Sequence, residues 1–139
     1  MGPALFYRYR DNQGGIAAVD TVHDDLSLAL LYAAADVLAA PSMQDNLPNT
    51  LVEALACGTP CVAFDIGGMP DLVEHGVTGW LAPPFEVDSF AQGLRQMLEH
   101  PQPQALREAC RSRSLSVRSG EVVARQYLAL HESVGRAVA

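Results

Sequence analysis

The sequence predicts an α/β fold, a mostly parallel sheet with helices on both faces. Three observations carry this. Apolar runs of strand length, at residues 36–40, 61–64 and 79–82, alternate with longer runs of helix formers. Apart from Asp36 at the first border, those runs carry no charged or polar side chain, as suits strands buried on both faces. Proline and glycine fall at the borders: Pro41, Gly58, Pro60, Gly76 and Pro83-Pro84.

Each element follows from local chemistry. Residues 4–10 (Ala-Leu-Phe-Tyr-Arg-Tyr-Arg) are rich in aromatics and predict an edge strand. Asp11-Asn12-Gln13-Gly14-Gly15 is a turn, and residues 16–22 read as a second short strand. Asp24-Asp25 offers a helix cap for 26–35. The next strand, 36–40, ends at Pro41. A helix opens at Asn49 or Thr50, where Thr50-x-x-Glu53 fits a capping box, and Gly58 stops it. After the strand at 61–64 come a short helix at 70–74 ended by Gly76, and a strand at 79–82. Asp88 is the expected cap of a helix over 89–100. Residues 104–113 and 121–136 predict two further helices with arginine-rich faces, read first as solvated and second as a surface for a partner or a membrane.

At 139 residues the chain suits one domain. Residues 25–139 carry the repeating strand–helix pattern, and 1–24 diverge from it. Apolar residues make up 49% and charged residues 18%, a globular balance. No apolar run nears the roughly 20 residues of a bilayer span. Met1-Gly2-Pro3 does not resemble a secretory leader. Cys57, Cys61 and Cys110 show no metal spacing, and their odd number suggests a reducing compartment, so a cytoplasmic location is expected. They read as small core residues.

Net charge is −7, and all nine basic residues are arginines. The absence of lysine excludes a P-loop, a Schiff-base enzyme and a receiver domain. The acidic balance argues against nucleic acid. His23, His75, His100 and His131 are scattered, no Asp-x-Asp pattern occurs, and neither a metal nor a cofactor is expected.

The richest stretch is 41–60. It runs from strand end through polar loop, helix and glycine stop into a new strand. Two carboxylates, Asp45 and Glu53, bracket the loop-to-helix junction with seven residues between them. That layout suits a nucleotide carrying a sugar. A helix N-terminus offers free N–H groups to phosphate, and a carboxylate on either side can take hydroxyls. In parallel sheets ligands sit beyond the carboxyl ends of the strands. The loops at 42–49 and 65–69 both lie there, and Gly67-Gly68 allows close backbone approach.

Leu31-Tyr32-Ala33-Ala34-Ala35-Asp36-Val37-Leu38-Ala39-Ala40-Pro41-Ser42, then Leu51-Val52-Glu53-Ala54-Leu55-Ala56-Cys57-Gly58-Thr59-Pro60, then Asp71-Leu72-Val73-Glu74-His75-Gly76-Val77-Thr78-Gly79-Trp80-Leu81 resemble, in order, the nucleotide-sugar-binding domain of family 4 (group 1) retaining glycosyltransferases. The resemblance covers roughly 25–130. It implies a Rossmann-like, partial GT-B carboxyl-terminal domain and a UDP-, GDP- or ADP-linked sugar as partner. The family's Glu-x(7)-Glu motif falls on Asp45 and Glu53. The resemblance gives Asp45 the catalytic place beside the donor sugar and Glu53 the ribose hydroxyls. Asn49, Thr50 and Leu51 then present N–H groups to phosphate, and Gly67 and Gly68 face the donor.

The chain also departs from the family. Its first acid is an aspartate, one methylene shorter, and Asn46-Leu47-Pro48-Asn49-Thr50 replaces a glycine-rich loop. The arginine and lysine that neutralise the diphosphate have no counterpart; Arg8 and Arg10 are the only upstream cations and read as exposed arginines of an edge strand. An acceptor-binding half is not recognisable. The expectation is a donor-domain fragment of a transferase of polysaccharide biosynthesis, inactive alone. The alternative is a noncatalytic module that self-associates as a homodimer through an exposed sheet edge.

Overall fold

The computed structural model describes residues 4–6, 22, 24–44 and 46–138. Its elements run β1 (Ala4–Phe6), α1 (Asp25–Ala34), β2 (Val37–Ala40), α2 (Asn49–Ala56), β3 (Cys61–Phe64), α3 (Met69–Leu72), β4 (Gly79–Ala82), α4 (Val87–Leu98), α5 (Pro103–Arg118) and α6 (Gly120–Val138). The strands form one sheet in the order β1-β2-β3-β4. β2, β3 and β4 are parallel, and β1 lies antiparallel along the outer side of β2. The expected edge strand is thus present over Ala4–Phe6. The turn at 11–15, Arg8, Arg10, His23 and, apart from Val22, the strand expected over 16–22 lie outside the described residues.

Why the sheet is covered on both faces follows from strand alternation. Phe64 meets Phe90 of α4 with ring centroids 5.0 Å apart, so Val62 and Phe64 face α4. Trp80, which pairs with Val62, packs against Gly93 of the same helix. Cys61 and Ala63 face the other way, where Cys61 lies near Cys110 of α5 and α2 packs over β2 and β3. Every residue of β2 and β3 is buried. Burial of this kind stabilises by roughly 25 cal/mol per Å² of apolar surface removed from water.

Helix starts depart from expectation. Asp24 does cap α1, its side chain accepting from the Ser27 N–H at 2.8 Å, which holds the Asp24 carboxyl below its usual range. α2 opens at Asn49, one of the two expected starts, but after Pro48 and with no side-chain cap. Thr50 is therefore inside the first turn, too far along to cap it, and the capping box does not form. Likewise α4 begins after Glu86, and Asp88 sits in its first turn, where its charge favours the helix dipole without capping an N–H. α3 ends at Leu72; Gly76, at φ 80°, belongs to the turn that follows.

The arginine face of α5 is largely exposed, as expected, but its guanidinium groups are also engaged. Arg107 of α5 donates to the Ala35 carbonyl at 2.8 Å and to the Ala33 carbonyl, capping the end of α1. Arg111 reaches the Ala56 carbonyl at the end of α2, at 3.4 Å. Arg113 pairs with Glu74 at 3.2 Å, and Arg118 donates to the Asp71 carbonyl. These contacts tie α5 to the ends of α1, α2 and α3. α6 packs on α5, and its outer half carries exposed Tyr127, Leu128, Leu130 and Val134.

Candidate functional site

The site assembles around α2. β2 ends at Ala40, the chain crosses a polar loop, and α2 carries it back beside the sheet to β3. Leu51, Ala54 and Leu55 are buried, so the opposite face, with Asn49 and Glu53 one turn apart, looks outward.

The two ends of α2 are built differently. At its carboxyl end Gly58, at φ 83°, turns the chain out of the helix. The Gly58 N–H donates to the Leu55 carbonyl at 3.0 Å and the Thr59 N–H to the Ala54 carbonyl at 2.8 Å, a Schellman turn. At its amino end the Leu51 N–H donates to the Pro48 carbonyl at 3.1 Å. The Asn49 and Thr50 N–H groups have no acceptor among the described residues. Of the N–H groups expected to be free for phosphate, two are open and that of Leu51 is shared.

The loop after β3 closes on the loop after β2. A Cβ on Gly68 would lie 1.6 Å from the Asn46 carbonyl oxygen, so only glycine permits this approach. Gly67 has φ 56°, the left-handed region that glycine tolerates. Gly67-Gly68 thus sits against the stretch that leads into α2. Asp45 lies outside the described residues.

Glu53 is exposed, and its carboxylate is not a cap. Its Oε2 accepts a hydrogen bond from the Tyr32 hydroxyl of α1 at 3.2 Å. Tyr32 is only 4% exposed, and its own carbonyl accepts from the Thr59 hydroxyl. Burial, then the charge and hydrogen bond of Glu53, push the Tyr32 phenol up, so it remains a donor at neutral pH. Beside the pair lies a cavity of about 250 Å³ lined by Asp25, Leu28, Ala29, Tyr32, Glu53, Ala56 and Cys57. The Cys57 thiol is also raised, chiefly by burial, with Arg111 pulling it back. No shift of this kind makes Cys57 a nucleophile.

A family model described as Glycosyl transferases group 1 matches residues 4–100. The chain belongs to the group 1 glycosyl transferases. Over 79 residues this glycosyl transferase chain is 42% identical to the D-inositol 3-phosphate glycosyltransferase of Mycobacterium avium, a match covering 57% of the chain and 19% of that protein. The corresponding enzyme of Mycobacterium tuberculosis is 43% identical over 76 residues, 55% of the chain and 15% of the enzyme. The chain therefore spans less than a fifth of the length of these curated relatives. Among solved structures, sucrose-phosphate synthase from Thermosynechococcus elongatus superposes with a TM-score of 0.71 at 31% identity, over 80% of the chain and 28% of the synthase. Anabaena HepE in complex with UDP-glucose gives 0.67 at 30% identity, over 76% and 30%. The expected α/β architecture of a GT-B glycosyl transferase is the one found.

Tyr32 is the residue that sequence reasoning passed over at this site, and Cys57, read as a small core residue, also lines its cavity. Tyr32 lies 21 positions before Glu53, on another helix, beyond the reach of any local spacing rule. Its one signal is a phenol set among the small and aliphatic residues of α1.

Proposed function

We propose that this chain is the nucleotide-sugar donor-binding part of a retaining group 1 glycosyl transferase. Glu53 takes the ribose hydroxyls, and the N–H groups of Asn49 and Thr50, with Leu51 behind them, meet the diphosphate. Gly67 and Gly68 form the wall of the donor site, and Asp45 contacts the sugar. The observation that carries this reading is the uncapped amino end of α2 with Glu53 one turn along it, beside an open cavity. A UDP complex of a structural relative, HepE, supports the ligand class.

The chemistry is glycosyl transfer with retention at the anomeric carbon. The protein's main work is stabilising the departing diphosphate, by groups already oriented before charge develops. One helix end supplies about half a positive charge, against −2 or more on a diphosphate. The chain has no lysine to add. Weak nucleotide binding and no transfer by the chain alone are therefore expected, and the rest of a full-length enzyme supplies the remaining cations and the acceptor site.

Calorimetric titration with UDP, GDP and ADP, beside a Glu53→Gln variant, tests this. Saturable binding of one nucleotide that weakens at least tenfold in the variant is the expected result. Equal binding by both proteins refutes the ribose assignment. A second reading, self-association of a noncatalytic module, draws on β1. It is an edge strand, and no strand pairs with its outer side among the described residues. A dimer in sedimentation with no nucleotide binding is the result that favours it.

A further inference from the structure

We infer that Tyr32 is a positioning residue for the Glu53 carboxylate, and that it sets how strongly the site discriminates a ribose from a sugar lacking the vicinal hydroxyls. The inference rests on the reading of Glu53 given above and deepens it.

A glutamate on an exposed helix face samples many rotamers, and a ligand that needs one of them pays for the ordering. Here one carboxylate oxygen is already tied. The Tyr32 hydroxyl donates to Glu53 Oε2 at 3.2 Å. Oε1 accepts nothing among the described residues and stays available to a hydroxyl. A carboxylate held at one oxygen and open at the other is the arrangement that a cis-diol can use without further ordering.

The tyrosine can do this because it does not move. It is 4% exposed, and the Thr59 hydroxyl donates to its carbonyl. Arg107 caps the neighbouring carbonyls of Ala33 and Ala35, fixing the turn that carries it. Thr59 closes the Schellman turn of α2, so the helix that bears Glu53 and the helix that bears Tyr32 are pinned to each other twice. The phenol also lines the cavity beside Glu53. Its hydroxyl is spent on the carboxylate, so its hydrogen bond acts on the proposed ligand through Glu53.

A merely structural tyrosine and a positioning one differ in what they change. Loss of packing weakens every ligand alike. Loss of positioning weakens only the ligand that carries the hydroxyls. The test compares UDP with 2′,3′-dideoxy-UDP on the full chain, on Tyr32→Phe and on Glu53→Gln, each checked by circular dichroism. The wild-type chain is expected to prefer UDP by roughly tenfold or more, a preference that Glu53→Gln abolishes. Tyr32→Phe is expected to lower that preference about three- to tenfold while leaving the dideoxy affinity unchanged.

If Tyr32→Phe keeps the wild-type ratio while Glu53→Gln loses it, or weakens both ligands equally, the positioning role is wrong and the ribose reading stands. If the wild-type chain fails to discriminate, or does not bind, the ribose reading falls and takes this inference with it. Should Tyr32→Phe not fold, 3-fluorotyrosine at position 32 keeps the ring and strengthens the donor. A ratio shifted at least twofold then supports the role, and an unchanged ratio overturns it.

Discussion

The two ends of α2 differ in one respect that organises the molecule. At the carboxyl end the helix is closed by its own chain and by α5: Gly58 and Thr59 return N–H groups to Leu55 and Ala54, and Arg111 reaches Ala56. At the amino end, two N–H groups find no acceptor among the described residues after an uncapped start. An open N-terminus costs stability that a serine or aspartate cap would restore, about 1 kcal/mol. On the function proposed above, the open end is the one that meets the ligand, and stability and function divide along a helix of eight residues.

Substitutions at the junction of the two loops should cost most. Gly68→Ala forces a methyl group into the Asn46 carbonyl, and the loops must part. A loss of about 3 kcal/mol is expected, read by denaturant melts, with nucleotide binding lost as well. An unchanged midpoint would mean that the loops are not held together as described.

Gly58→Ala probes the closed end alone. The φ of 83° disfavours any side chain, and the new Cβ would lie 3.1 Å from the Arg107 carbonyl oxygen. A loss of about 1–2 kcal/mol is expected. The dissociation constant for nucleotide, measured on the folded protein, should stay within twofold. A large loss of affinity here would deny that the ends are independent.

Pro48→Asp is the mirror experiment. It adds a cap acceptor and a negative charge at the open end and removes a buried proline ring. Stability should change by less than about 1 kcal/mol, since the two effects offset one another. Nucleotide affinity should fall at least tenfold, because the carboxylate takes the N–H groups and repels phosphate. Intact affinity would place the phosphate elsewhere.

The pH dependence sharpens the comparison least, because it reports on the closed end and the core. Burial raises the Cys61 thiol well above 9.0, pushes the Cys110 thiol to about 12 and raises the Tyr32 phenol. A raised folded value means that the unfolded chain loses these protons first as pH rises. The stability they contribute is complete below about pH 9 and drains away above it. Thermal melts from pH 7 to 11 should show Tm falling from about pH 9, less steeply in Cys110→Ala after its own cavity cost is subtracted. A flat Tm over that range contradicts the burial of these groups.

Much of the fold was legible because its signals are local. β2, β3 and β4 are short apolar runs set between prolines and glycines, and α1 has a cap that its neighbours cannot supply. Helix starts were less legible. Thr50 and Asp88 are good caps in isolation, but Pro48 and Glu86 precede them at the positions where the backbone turns helical. The arginines of α5 were half legible. Their face is largely solvated, as their spacing suggests, but Arg107, Arg111 and Arg118 also reach carbonyls 47 to 74 positions away in the chain, and Arg113 pairs with the Glu74 carboxylate. At the site, the helix, the glycine pair and Glu53 could be read from the sequence; the tie from Tyr32 to Glu53 could not, because it exists only once α1 and α2 pack together.

The most direct measurement is a backbone amide spectrum of the labelled chain, titrated with UDP. The Asn49 and Thr50 resonances should shift along saturable curves, while those of Gly58 and Thr59 stay in place. Movement at the closed end, or stillness at Asn49 and Thr50 up to millimolar nucleotide, would contradict the division of α2 into a structural end and a binding end.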